Sequence, residues 1–286
     1  MDKSSYKTSG LAFSKLRPMR ITMAITALLG LWPLTVMAQW EKYPTAHVPK
    51  TRDGKPNLNA PAPRMVNGRP DFSGVWSNPP CTGECPPGTK DEFLPLPAQF
   101  MDIGWGMKDG LPYQPWAAEL VKARMADFGR GNPDAHCRPI GIVQLDTHPY
   151  PRRIMQTPEL LAILNEKDGI FRQIFTDGRS LPVDPQPWWY GYSVGKWVGD
   201  TLFVETRYFP ENGWLDFRGA VYTGSAKITE RFRRPNYGHL ELEITVDDPK
   251  AYTKPWSVKV NQTIQLDTDL FEFFCQENEK DVQHFK

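Results

Sequence analysis

The stretch His239-Leu-Glu-Leu-Glu-Ile-Thr-Val246 decides the fold class. Leu240, Leu242, Ile244 and Val246 alternate with His239, Glu241, Glu243 and Thr245. That period of two puts one set on a buried sheet face and the other in water. On either side the pattern repeats. In Trp256–Leu266 the inward set is Trp256, Val258, Val260, Ile264 and Leu266, with Gln262 among them; in Ala226–Arg233 it is Ala226, Ile228 and Phe232, with Glu230 among them. Turn signals at Tyr237-Gly238 and Asp247-Asp248-Pro249 separate these runs, and Asp168-Gly169, Asp177-Gly178 and Gly199-Asp200 extend the series toward the N-terminus. Phe171–Thr176, Thr201–Phe209 and Leu270–Cys275 complete the expected strands. Short, mostly antiparallel strands at this spacing predict a barrel or sandwich.

Upstream the chain changes character. Residues 39–115 hold 14 of the 28 prolines, a density that forbids continuous helix or central strand. Residues 39–70 therefore read as an extended proline-rich arm, and residues 71–286 as one β-rich domain opening with Asp71-Phe-Ser-Gly-Val-Trp76. One helix is expected at about 115–128: Pro115 suits a first turn, and Trp116, Leu120, Val121, Met125 and Phe128 recur at helical spacing before Gly129 and Gly131. Leu160–Leu164 fits a buried strand or a helix start equally well.

Residues 1–38 carry the marks of a signal peptide: a basic segment with Lys15, Arg17 and Arg20, an apolar run from Ile21 to Val36, and Val36-Met37-Ala38 as a small-residue cleavage site. The alternative, an uncleaved span, is disfavoured by the length of the run and by Pro33. Five of the 34 basic side chains lie in those residues against Asp2 alone, so the remaining 248 residues carry 29 basic and 32 acidic groups, net −3. A nucleic-acid partner, which needs a concentrated cationic surface, is excluded on that balance. No later apolar run is long enough to span a bilayer, so the expected product is periplasmic or secreted.

In an oxidising compartment an even set of four cysteines reads as disulfides. Of the three possible pairings, Cys81–Cys85, closing a tight Thr-Gly-Glu loop, and Cys137–Cys275, tying mid-chain to the last strand, are favoured over free thiols or a metal site. The five histidines (His47, His136, His148, His239, His284) are scattered, and no metal or other cofactor is expected. GxSxG, GxGxxG, Walker and HExxH motifs are missing from the sequence.

Two features point to a site. Glu230 and Gln262 fall on apolar faces, where an unpaired polar group costs about 2–7 kcal/mol. They either line a cavity or are held by partners, for which Arg172, Arg207 and Arg231 are available to Glu230. Trp188, Trp189, Tyr190, Tyr192, Trp197 and Trp214 fall within 27 residues and suit stacking on a sugar or planar ligand, or else a core plug beneath the arm.

The chain also resembles a large family of exported bacterial proteins of unassigned function. The likeness is carried by Cys137-Arg-Pro-Ile-Gly, Met155-Gln-Thr-Pro158, Thr176-Asp-Gly-Arg179, Gly195-Lys-Trp-Val-Gly-Asp-Thr201, Glu230-Arg-Phe-Arg-Arg234, Asp247-Asp-Pro-Lys-Ala-Tyr-Thr-Lys-Pro-Trp256 and Cys275-Gln-Glu-Asn278, and spans about residues 64–285. The Phe-Ser-Gly-Val-Trp opening is similar to the Gly-x-Trp strand of lipocalin-like, calycin-type barrels. Family members often carry histidine where this chain has Leu181, Tyr192 and Tyr222, so a metal role is not carried over by the resemblance.

Three functions follow as expectations. The first is an exported, cofactor-independent lyase, isomerase, dehydratase or hydrolase acting on an aromatic, terpenoid or glycosidic molecule. Its site would lie in a hollow barrel, with Glu230 as acid/base, Tyr192 and Tyr222 as donors, and Trp188, Trp189, Trp197, Trp214 and Gln262 against the substrate. The second is a lipocalin-like carrier of an apolar or aromatic molecule. The third is a structural protein of the cell envelope.

Overall fold

The computed structural model describes residues 43–90 and 95–275. The signal-peptide reading of residues 1–38, the first residues of the arm and the Gln276–Asn278 end of the family motif lie outside them.

Nine strands close into a barrel. In chain order they are β1 (Gly74–Ser77), β2 (Arg152–Gln156), β3 (Leu160–Asn165), β4 (Phe171–Phe175), β5 (Tyr192–Val198), β6 (Thr201–Arg207), β9 (Lys227–Asn236), β10 (His239–Asp247) and β11 (Trp256–Gln265). Around the wall the order is β1, β11, β10, β9, β6, β5, β4, β3, β2. Two short strands, β7 (Gly213–Trp214) and β8 (Val221–Tyr222), form a separate ribbon. The mainly β barrel expected from alternation is present, and β10 buries the expected set, Leu240, Leu242, Ile244 and Val246. Leu160–Asn165 is a strand.

One seam departs from the antiparallel rule. β4 and β5 run parallel and share two residue pairs, Ile174 with Ser193 and Phe175 with Val194. A parallel pair needs a crossover rather than a hairpin, and residues 176–191 supply it.

Three helices accompany the barrel: α1 (Ala98–Met101), α2 (Pro115–Ala126) and α3 (Ile142–Thr147). α2 is the expected helix, starting on Pro115 and ending where Phe128 and Gly129 take positive φ and the Gly129 N–H reaches the Arg124 carbonyl at 2.9 Å. Its buried face differs from the expected one. Ala117 and Val121 are covered, whereas Trp116, Met125 and Phe128 are exposed, because the helix packs through a narrow stripe and Trp116 spends its indole N–H on the Lys250 carbonyl at 2.7 Å. α3 is buried along its whole length. Among the described residues no helix is long and apolar enough to cross a membrane.

The strand expected at Leu270–Cys275 is reduced to one bridge, Lys167 with Phe273. Acidic side chains take the place of a neighbouring strand there: Glu166 accepts the Phe271 N–H at 3.0 Å and Asp168 the Cys275 N–H at 2.7 Å. Two disulfides join Cys81 to Cys85 and Cys137 to Cys275. From the arm, Tyr237 and Gly238 at the β9–β10 turn donate to the Ala60 and Leu58 carbonyls, and Arg64 grips Asp200 with two bonds of 2.9 and 2.6 Å.

Candidate functional site

Strand alternation brings Arg152, Arg172, Glu230 and Gln262 to the barrel interior, and each is at most 4% exposed. Arg172 donates to Glu230 Oε1 at 2.8 Å and also bonds Oε2, while its Nη2 reaches Ser193 Oγ at 3.2 Å and Thr206 Oγ1 at 3.1 Å. Asp146, delivered by α3, pairs with Arg152 and lies 3.6 Å from Arg172. Arg152 donates to Gln262 Oε1 at 3.1 and 2.7 Å; Gln262 in turn donates to Asn78 Oδ1 and the Asp146 carbonyl, both at 3.1 Å.

Two guanidinium groups thus face two carboxylates in the interior. Burial pushes the Glu230 carboxyl up to about 7; Arg172 opposes that rise and the nearby Asp146 charge adds to it. Burial works against the Arg172 charge as well, but Glu230 and Asp146 hold its pKa above the ordinary arginine value. Of the three arginines available in sequence, the fold selects Arg172, which alternation on β4 turns inward, whereas Arg207 and Arg231 fall on outward positions of β6 and β9. From β4 it reaches β5, β6 and β9, bridging the β4–β5 seam, where backbone pairing is brief. The interior was expected to be hollow. Around Glu230 it is filled by this network and by apolar neighbours such as Val204, Ile244 and Ile163.

The other expected site residues do not gather around Glu230. Tyr192 points away from its interior neighbour Ser193, stacks on Phe175 at 5.3 Å and accepts from Arg179 at 3.3 Å. Tyr222 is buried in the β7–β8 ribbon, edge-on to Phe209 at 5.2 Å, and burial raises its phenol pKa above the ordinary value. A Cβ on Gly213 would overlap the Tyr222 ring, so a glycine is required there. Trp214 lies in the same ribbon beneath the Arg124 guanidinium at 4.2 Å. Trp188 and Trp189 are exposed on the β4–β5 crossover, where Leu181 is half-buried. Gln262 is committed to Arg152.

Trp197 is placed differently. It packs on Phe72 at 5.2 Å, with Arg69 of the arm above its ring at 5.6 Å. It borders a groove of about 680 Å³ over β5, β6 and β9, which also exposes Phe203, Val194, Arg69, Arg179, Lys196 and Glu205. A second cavity of about 570 Å³ lies between α2 and the 104–113 loop. It is lined by Asp102 and Asp216, which are occupied by Arg218 and by the backbone N–H groups of Ile103, Gly219 and Ala220.

Sequence reading missed the groove because Arg69 belongs to the arm and Phe203 to the outer face of β6, two segments with no local relationship. It missed Asp146 and Arg152 because interior charge looks like surface charge until a register is known. The Arg152-x-Ile154-x-Gln156 alternation was the available signal for β2. Among the described residues no three His, Cys, Asp or Glu side chains converge as a metal would require. Compared with protein-family models, curated proteins and solved structures, the chain matches none.

Proposed function

We propose that this is an exported binding protein for a small apolar or aromatic molecule, which it takes in the groove beside the β4–β5 seam. The observation that carries this reading is the wall of that groove. Phe203, Val194, Thr176 and Thr229 line a concave space of about 680 Å³, with Arg69 and Arg179 among its polar groups. Concave, largely apolar sites with a few polar groups suit small ligands. Export is supported by the signal-like residues 1–38 and by two disulfides, which persist outside the reducing cytosol. The likeness to exported bacterial proteins agrees with export.

The acid/base reading has one observation in its favour, a Glu230 carboxyl near neutrality. It also requires a substrate path to a side chain with no exposure, which the groove does not require. Thermal-shift screening of the purified protein against phenolics, terpenoids, sterols and sugars tests the binding reading. A stabilising compound is expected to lose its effect in Thr229→Trp, which fills the groove from an outward strand position. Stabilisation that survives that substitution would place the ligand elsewhere. Turnover that disappears in Glu230→Gln, with ligand affinity kept, would favour the enzyme.

A further inference from the structure

We infer that the cavity between α2 and the 104–113 loop is a second binding site, which takes a quaternary ammonium group against Trp105 and Tyr113. It is separate from the groove over β5, β6 and β9 and does not depend on it.

The inference comes from a charge that hydrogen bonds satisfy without neutralising. Asp216, in the turn between β7 and β8, is 1% exposed. Its oxygens accept the N–H groups of Ile103 and Gly219 at 2.8 Å and of Ala220 at 2.9 Å, all neutral donors. The neighbouring guanidinium groups are spent elsewhere. Arg218 bonds Asp102, and Arg124 donates to the Gly219 and Asn212 carbonyls at 2.9 and 3.2 Å. Burial accordingly pushes the Asp216 carboxyl up to about 6; the Asp102 charge adds to that rise and the three N–H groups oppose it. At neutral pH Asp216 is therefore a buried anion with no cation bonded to it. Glu84, on the same cavity, has no ion pair among the described residues. The lining thus carries three carboxylates, Glu84, Asp102 and Asp216, against the single guanidinium of Arg218.

The rest of the wall suits a weakly hydrated cation. Trp105, Met107, Leu111, Tyr113, Val121 and Met125 border a space of about 570 Å³. The Trp105 ring stacks on no other ring among the described residues. Tyr113 has one face against Tyr252 at 5.4 Å, and its hydroxyl makes no hydrogen bond among the described residues. Burial raises the Tyr113 phenol pKa, and the Asp216 and Asp102 charges raise it further, so ring and carboxylates share one local field. Ring faces attract cations, and thioether side chains such as Met107 and Met125 adapt to the shape placed against them. A primary ammonium would look for carboxylate lone pairs that are already engaged. A quaternary group needs only the field and the rings, and an anion would meet repulsion.

Calorimetric titration of the purified protein with choline and with 3,3-dimethyl-1-butanol, its uncharged counterpart of the same shape, is the test. Choline is expected to bind at least about fivefold more tightly. Its affinity should fall at least about fivefold in Trp105→Leu/Glu84→Gln, which leaves the hydrogen-bonded Asp102 and Asp216 in place. Trp105→Phe, which keeps a ring, should retain most of it, and this variant decides the matter if the double variant fails to fold. Choline binding should be unchanged in Thr229→Trp, which separates this cavity from the groove. Equal affinity for the two compounds, or binding of neither, overturns the inference. So does choline affinity that survives the double variant or is lost in Thr229→Trp, because the cation would then sit elsewhere.

Discussion

Arg172 and Glu230 sit on strands that are not neighbours in the barrel wall, β4 and β9, yet they are joined through both terminal guanidinium nitrogens and both carboxylate oxygens across the interior. Between them lie β5 and β6, whose Ser193 and Thr206 hydroxyls accept from the same guanidinium. The contact spans the parallel seam, where only two residue pairs hold β4 to β5.

Breaking that pair from one side is expected to be costly. Glu230→Leu leaves Arg172 charged and buried with only Asp146 nearby, and should lower unfolding free energy by about 3–5 kcal/mol. The double variant Glu230→Leu/Arg172→Met, which leaves Asp146 matched to Arg152, should recover most of the loss. Denaturant titrations of the three proteins measure this. A single variant as stable as the parent would show that the pair does not hold the seam.

Stability should fall as pH rises through weakly acidic values. The Glu230 carboxyl, raised by burial from 4.5 to about 7, keeps a proton in the folded chain that the unfolded chain has already lost. Its contribution is therefore full below about pH 4.5, declines up to about 7 and then levels, about 3 kcal/mol in all. Asp216, raised by burial from 3.8 to about 6, acts with the same sign. Asp134 acts oppositely: burial works to raise it, His148 and Lys167 outweigh burial, and its contribution is lost only on acidification below about 3.8. Denaturation midpoints at successive pH values should show the decline in the parent and a shallower one in Glu230→Gln. A midpoint climbing from pH 5 to 7 contradicts the assignment.

The two disulfides should differ in worth. Cys137 and Cys275 are 138 residues apart, and closing so long a loop is expected to contribute about 5 kcal/mol on chain entropy. Cys81 and Cys85 are separated by 4, for which the same reasoning gives about 2 kcal/mol. Paired Cys→Ser variants compared by denaturation give the order. Loss of Cys137–Cys275 should also release the segment that Glu166 and Asp168 hold, visible as faster amide exchange near Phe271–Cys275.

The grip of Arg64 on Asp200 is exposed and screened by solvent, and should add little to global stability. Its effect should be local. Asp200→Asn is expected to speed tryptic cleavage of the Arg64–Met65 bond while leaving the melting temperature nearly unchanged. Unaltered cleavage would mean that the arm is held by its backbone bonds to the β9–β10 turn alone.

Alternation is a property of neighbouring residues, so the inward faces of β9, β10 and β11, with Glu230 and Gln262 among their apolar residues, could be read from the order of amino acids. So could the start of α2 at Pro115 and its stop at Gly129, since both follow from local backbone limits. Which arginine meets Glu230 could not be read in that way. Alternation already puts Arg231, the next residue along, on the face opposite Glu230; the choice between Arg172 and Arg207 was made when the barrel closed through a parallel pair and set the inward Arg172 beside β5. The groove has the same origin in part, because Arg69 reaches the β5–β6 hairpin, where Lys196 faces Phe203, only when the arm is fastened to the wall. Long-range pairing carries no local periodic signature, and it is what converted an alternating sequence into a closed barrel with Arg172 and Glu230 joined across its interior.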